Sequence, residues 1–194
     1  MRKPLLIPIG GPTGVGESSV TKEIIKRLPK TKRLVTTTSR PPRLKEKNGK
    51  DYFFISEAEF KKRIKENKFL EHTLFAVRNV YYGSEKKRID YWLNRGYNVI
   101  ANIDKIGALK MKATYGNRCA TFFIVPEKFS DLKKRILHRQ PDISKEELTK
   151  RLAHARIELK DKKHYDYVIA NKQGKLTETA RQALNIIKRK QRLT

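Results

Sequence analysis

The sequence predicts an α/β fold: a mainly parallel sheet with helices on both faces, interrupted by a small mixed, β-rich insertion. Two observations carry this. Short apolar runs ended by turn residues alternate with helical patterns along the chain, and one stretch of about fifty residues, rich in Thr, Ser, Tyr and Phe, breaks the alternation.

In order, the run 5–9 (Leu-Leu-Ile-Pro-Ile) is a buried strand ended by Gly10 and Gly11. Val20, Ile24, Ile25 and Leu28 follow at helix spacing. From Arg33 to Tyr82 a Thr/Ser run, Pro41-Pro42, an Asn48-Gly49 turn and Tyr52-Phe53-Phe54 read as the insertion. Inside it, Ser56 and Glu59 form a capping box for a helix to about residue 67. A helix is expected over 84–94, closed by Gly96, then a buried strand over 99–103 ending at Asp104. A helix near 106–114, a strand over 120–125 stopped by Pro126, and amphipathic helices over 127–139 and 144–161 follow. Ser144 with Glu147 caps the second of these. A strand over 165–170 and a helix carrying Ala180, Ala183, Leu184 and Ile187 complete the chain, with the basic tail 188–192 expected to fray. Trp92 and the pair Phe122-Phe123 are assigned to the core.

No apolar run approaches the roughly 20 residues that span a bilayer. The run 5–9, behind the basic flank Met1-Arg2-Lys3-Pro4, is too short for a secretory leader. Cys119 is the only cysteine, so no intrachain disulfide forms and a reducing cytoplasm is the expected setting. The 46 Lys and Arg against 20 Asp and Glu give a net charge of +26, a field that attracts polyanions and nucleotides. The basic residues are spread through the chain, which points to non-specific polyanion binding at low salt rather than a dedicated nucleic-acid module. His72, His138, His154 and His164 show no metal-ligand spacing.

The segment Gly11-Pro12-Thr13-Gly14-Val15-Gly16-Glu17-Ser18-Ser19 follows a strand and opens a helix. This is the spacing and context of a phosphate-binding loop, the P-loop, and so of a P-loop NTP hydrolase-like sheet. Its glycines let backbone N–H groups turn in on a phosphate, and the helix N-terminus adds positive potential. The Ser18 hydroxyl suits the Mg²⁺ that accompanies ATP. The residue before Ser18 is ordinarily Lys, which reaches the β- and γ-phosphates; here it is Glu17. A unit-charge pair at roughly 4 Å is worth about 4 kcal/mol at an effective dielectric of about 20, so an ionised Glu17 replaces attraction with repulsion.

Downstream of this loop the sequence resembles the guanylate kinase family over nearly its whole length. The residues that carry the likeness are Thr36-Thr37-Thr38-Ser39-Arg40-Pro41-Pro42-Arg43, Gly49-Lys50-Asp51-Tyr52-Phe53-Phe54, Phe69-Leu70-Glu71, Tyr81-Tyr82-Gly83-Ser84, Asn102-Ile103-Asp104 with Gly107, and Arg135, Arg139 and Arg151. The resemblance implies ATP-dependent phosphorylation of GMP or dGMP. Arg40, Arg43, Tyr52 and Tyr82 would hold the GMP phosphate, which suits bidentate guanidinium donors. Glu71 would accept from guanine N1–H and N2–H₂, with Thr36 and Ser84 on the remaining base edge. Asp104 would assist the nucleotide or, through water, the metal. Arg135, Arg139 and Arg151 would close over the transferring phosphoryl group and neutralise its charge, Arg40 and Glu17 would stand at the catalytic positions beside it, and Asn171 would lie near adenine. The core is expected over 1–34, 90–126 and 157–194, the GMP-binding insertion over 35–89 and a helical lid over 127–156.

Besides Glu17, the sequence departs from the family pattern in three places. Asn102 stands for the first Asp of a Walker-B-like pair, the stretch 75–80 is longer than usual, and the lid sequence His138-Arg139-Gln140-Pro141 lacks the common glycine. The expected consequence of Glu17 is a much lower turnover with GMP binding kept. The rival readings are a catalytically inactive nucleotide- or protein-binding module and a basic nucleic-acid-binding protein.

Overall fold

In the computed structural model, residues 3–75 and 79–193 are described. Five parallel strands form the main sheet: β1 (Leu6–Gly10), β2 (Thr31–Arg33), β7 (Asn98–Asn102), β8 (Phe122–Pro126) and β9 (Tyr167–Asn171), in the order β2-β7-β1-β8-β9. A second sheet holds β3 (Thr37–Thr38), β4 (Phe53–Phe54), β5 (Phe69–Phe75) and β6 (Val80–Glu85), in the order β4-β3-β6-β5. It is mixed: β3 runs parallel to β4, whereas β6 is antiparallel to both β3 and β5.

Successive strand residues point to opposite faces, and this builds two cores from one run. Leu5, Ile7 and Ile9 pack with Val20 and Ile24 of α1 (Glu17–Arg27) and with Ala180, Ala183 and Ile187 of α7 (Leu176–Leu193). Leu132 of α5 (Phe129–Arg139) and Ala155 of α6 (Lys145–Glu158) join the same face. Leu6, Val99 and Ala101 face the other way, onto Ile89 and Leu93 of α3 (Lys86–Asn94) and Met111 of α4 (Lys105–Tyr115). The insertion keeps its own helix, α2 (Glu57–Lys65), capped by the Ser56 hydroxyl, which accepts from the Glu59 N–H at 3.1 Å. Phe60 of α2 stacks on Phe69 at 4.3 Å between ring centroids.

The structure revises four boundaries. Ser84 and Glu85 belong to β6, so the helix expected over 84–94 starts two residues later. The helix expected to reach 161 ends at Glu158 and tightens into a 3-10 turn, Leu159–His164. Thr31–Arg33 is an edge strand that its polar sequence hid. The tail 188–192 does not fray: α7 continues to Leu193, and the buried Gln191 donates from Nε2 to Asn98 Oδ1 at 3.0 Å and to the Lys3 carbonyl at 3.3 Å. Its amide finds acceptors beside β7 that periodicity alone does not reveal. Of the stretch 75–80, residues 76–78 lie outside the described residues.

Candidate active site

The loop after β1 turns at Gly14 (φ +87°) and Gly16 (φ +93°), left-handed conformations that a Cβ strains. Three elements brace it. Asn171, at the end of β9, donates from Nδ2 to the Val15 carbonyl at 2.7 Å. Arg135 of α5 donates from Nη1 to the same carbonyl at 2.6 Å, from Nη2 to the Asn171 carbonyl at 2.6 Å and from Nε to Gln173 Oε1 at 3.0 Å. Glu158, at the end of α6, accepts from the Thr13 N–H at 3.0 Å.

These bonds tie two of the expected nucleotide-site residues to the loop itself. The Asn171 amide is committed to the loop and to the Thr179 hydroxyl, which donates to its Oδ1 at 3.2 Å, rather than facing a base. Arg135 places one bond from each of its three nitrogens on protein acceptors, which braces the loop, and keeps two further N–H donors where it lines the cavity over it. A cavity of about 470 Å³ lies over the loop, lined by Thr13 to Ser19 with Arg135 and Arg139. Arg151 does not line it; its guanidinium pairs with Glu147 one turn back on α6.

Glu17 lines this cavity and a second one of about 320 Å³, which it shares with Asn102, Asp104, Lys105, Glu158 and Tyr165. Burial pushes its carboxyl up to about 8; the nearby Asn102 side chain opposes the rise, and Glu158 adds to it. Glu17 is therefore mostly protonated at pH 7. In its protonated form Glu17 leaves the loop without the usual positive charge rather than adding a repulsion; the half-buried side chain still lines both cavities.

The third cavity, about 320 Å³, lies against the mixed sheet and is lined by Thr36, Tyr52, Glu71, Thr73, Tyr82 and Asp104. Burial raises the Glu71 carboxyl above its ordinary value; Ser84 opposes this by hydrogen bonding and Asp104 adds to it. Arg40 sits at the rim. Its Nη1 and Nη2 donate to Glu46 at 2.6 and 2.7 Å, and its Nε to the Tyr82 hydroxyl at 3.2 Å. Arg40 in turn holds the Glu46 carboxyl down to about 2, helped by the Arg43 N–H, which donates at 2.9 Å. The Arg43 side chain is exposed. Asp104 caps α4, its Oδ1 accepting from the Gly107 N–H at 2.8 Å.

Asn102 and Asp104 line both 320 Å³ cavities, and Thr13 and Glu17 link the second cavity to the loop. The three spaces are thus consecutive. Sequence reasoning missed Glu46, Thr73 and Glu158. Glu46 follows Arg43 by three residues, a turn spacing that was open to reading, whereas nothing local places Glu158 on a loop 145 residues away. Among the described residues no group of three or more His, Cys, Asp or Glu is placed to hold a metal ion by itself. The exposed Ser18 at the loop suits a Mg²⁺ whose remaining ligands are phosphate oxygens and water.

The family model described as guanylate kinase matches residues 1–189. The chain is 38% identical over 166 residues to a guanylate kinase of Thermotoga maritima, covering 86% of this chain and 78% of that one. It is 40% identical over 166 residues to a guanylate kinase of Helicobacter pylori, covering 86% and 79%. The crystal structure of a guanylate kinase from Anaplasma phagocytophilum superposes with a TM-score of 0.77 at 25% identity, over 98% of this chain and 88% of that one.

Proposed function

The chain belongs to the guanylate kinase family, and from that premise we propose that it transfers the γ-phosphoryl group of ATP to GMP or dGMP, giving ADP and GDP or dGDP. The observation that carries this reading is the run of three cavities. Acceptor nucleotide in the mixed-sheet cavity and donor triphosphate over the loop would meet near Asn102 and Asp104.

In the acceptor cavity, Glu71 accepts from guanine N1–H and N2–H₂, a donor pair adenine lacks. Thr36 lines the same cavity on the remaining base edge, and the buried Ser84 pairs with Glu71 across β5 and β6 behind it. Arg40, Tyr52 and Tyr82 meet the GMP phosphate, with Arg40 shared between that phosphate and Glu46. A phosphate oxygen of GMP attacks the γ-phosphorus in line. The bond from that phosphorus to the ADP oxygen breaks, and ADP leaves with the electron pair. No covalent enzyme intermediate is needed. The loop's N–H groups hold the triphosphate, and Arg139 faces the transferring charge from the lid. Bound through Ser18 and the phosphates, Mg²⁺ would neutralise charge on the triphosphate. Lid and insertion close to exclude water, bringing Arg151 toward the phosphates. A soluble, cytoplasmic enzyme fits a nucleotide-phosphorylating role; among the described residues no helix is long and apolar enough to cross a membrane.

The test is ADP formation from ATP, Mg²⁺ and GMP by this chain and by Glu17→Lys. The expected result is slow turnover by this chain and a rise of at least about tenfold in Glu17→Lys, as one restored charge contact at the transferring group warrants. If neither turns over while GMP still binds, the kinase reading fails and the inactive binding module replaces it.

A further inference from the structure

Behind the mixed sheet, on the side away from the acceptor cavity, lies a cleft of about 570 Å³ between β2, β4 and α3. Adjacent residues where the chain enters β4 separate the two spaces: Tyr52 lines the acceptor cavity and Phe53 lines this cleft. A further cleft of about 590 Å³ runs along the other side of α3. Lys87 and Tyr91 line both clefts, so they form one track across the helix.

Basic and aromatic side chains dominate the track, with Glu85 in both clefts and Asp90 in the second. Lys32 Nζ lies 5.1 Å from the Trp92 ring centre, the Arg88 guanidinium 3.4 Å from that of Phe53, and the Arg95 guanidinium 3.9 Å from that of Tyr91. Its carboxylates are already engaged. Glu85 accepts from Arg63 at 2.8 Å and from the Thr37 hydroxyl at 2.9 Å, and Asp90 from Lys86 and from the Tyr115 hydroxyl at 2.8 Å. Among the described residues Lys32, Lys87 and Arg95 have no carboxylate partner, and Tyr91 is 46% exposed. The positive charge along the track is therefore not neutralised by the protein.

We propose that this track is a second binding site, which takes a single strand of nucleic acid. Phosphates would run along Lys32 and Lys87 while a base stacks on the exposed Tyr91–Arg95 pair, the combination of cations and ring faces that holds single strands without sequence preference. An extended track crossing a helix suits a strand better than a mononucleotide. A duplex, with its bases stacked inside, offers no ring to Tyr91.

The test uses the full chain, with fluorescence anisotropy of a labelled oligothymidylate of about 12 nucleotides in roughly 0.1 M salt. The variant Lys32→Glu with Lys87→Glu removes charge on the track. Arg181→Glu with Lys188→Glu removes the same charge from the exposed face of α7. Tyr91→Ala tests stacking, and a thermal melt verifies that each variant is folded. The expected result is that the track pair loses at least about tenfold more affinity than the α7 pair. Tyr91→Ala loses about fivefold or more, with a loss that persists as salt is raised because stacking is not screened. Equal losses from both charge pairs, equal affinity for a duplex of the same length, or displacement of the strand by saturating GMP would each overturn the proposal. None of these readouts depends on turnover, so failure of the kinase reading leaves the site's test intact.

Discussion

At the scale of single residues, Glu17 is the most consequential side chain. Its carboxyl, free in the unfolded chain, ionises near 4.5, whereas in the folded loop it ionises near about 8. A carboxyl whose folded value is raised stabilises the fold least when ionised, so its burden grows as pH rises from about 4.5 to about 8 and is complete above that. Glu17→Gln keeps the shape and removes the titration. Thermal melts are expected to show Glu17→Gln near the parent at pH 5, and higher by about 3 °C or more at pH 8.5, since roughly 1 kcal/mol moves a domain of this size by about 2–4 °C. A constant difference between the two proteins across this range would mean that Glu17 is ionised throughout. Thr36, Tyr52, Glu71, Tyr82 and Asp104, drawn from separate sequence motifs, line one cavity. The state of Glu17 was not legible in the sequence, because its neighbour Glu158 comes from a distant helix end.

At the scale of elements, the phosphate loop is an arch held from α5, α6 and β9 by Arg135, Glu158 and Asn171. If these bonds to the loop are what Arg135 contributes, its kinetic consequence differs from that of a group touching the phosphoryl. Arg135→Lys supplies a point charge without the planar fork that reaches three acceptors at once. Steady-state kinetics should show KM for ATP raised about tenfold, a loss of roughly 1.4 kcal/mol, with KM for GMP unchanged and kcat within about threefold. A fall in kcat at constant KM would instead assign Arg135 to the transferring phosphate.

At the scale of the whole molecule, the net charge of +26 sets how anionic substrates arrive. Charge-steered encounter is screened within a Debye length of about 8–10 Å at physiological salt. kcat/KM for ATP and GMP should therefore fall about tenfold between roughly 0.05 and 0.5 M salt, while kcat changes little, because closure and transfer take place among fixed groups inside the cleft. Equal falls in both quantities would show salt acting on the folded site itself.

By itself the sequence determined the alternating sheet and helices, the insertion, the phosphate loop and the ordered motifs of the acceptor site. These are local properties: strand runs, helix spacing, glycines at turns and residue types at short intervals. Only the tertiary structure decided that Asn171 and Arg135 brace the loop, that Glu46 holds Arg40, that its surroundings raise the Glu17 carboxyl, and that α7 runs on through Gln191 to meet Asn98. Each depends on partners far apart in the chain and on how much water the fold removes around a polar group. Neither quantity has a pattern along the sequence.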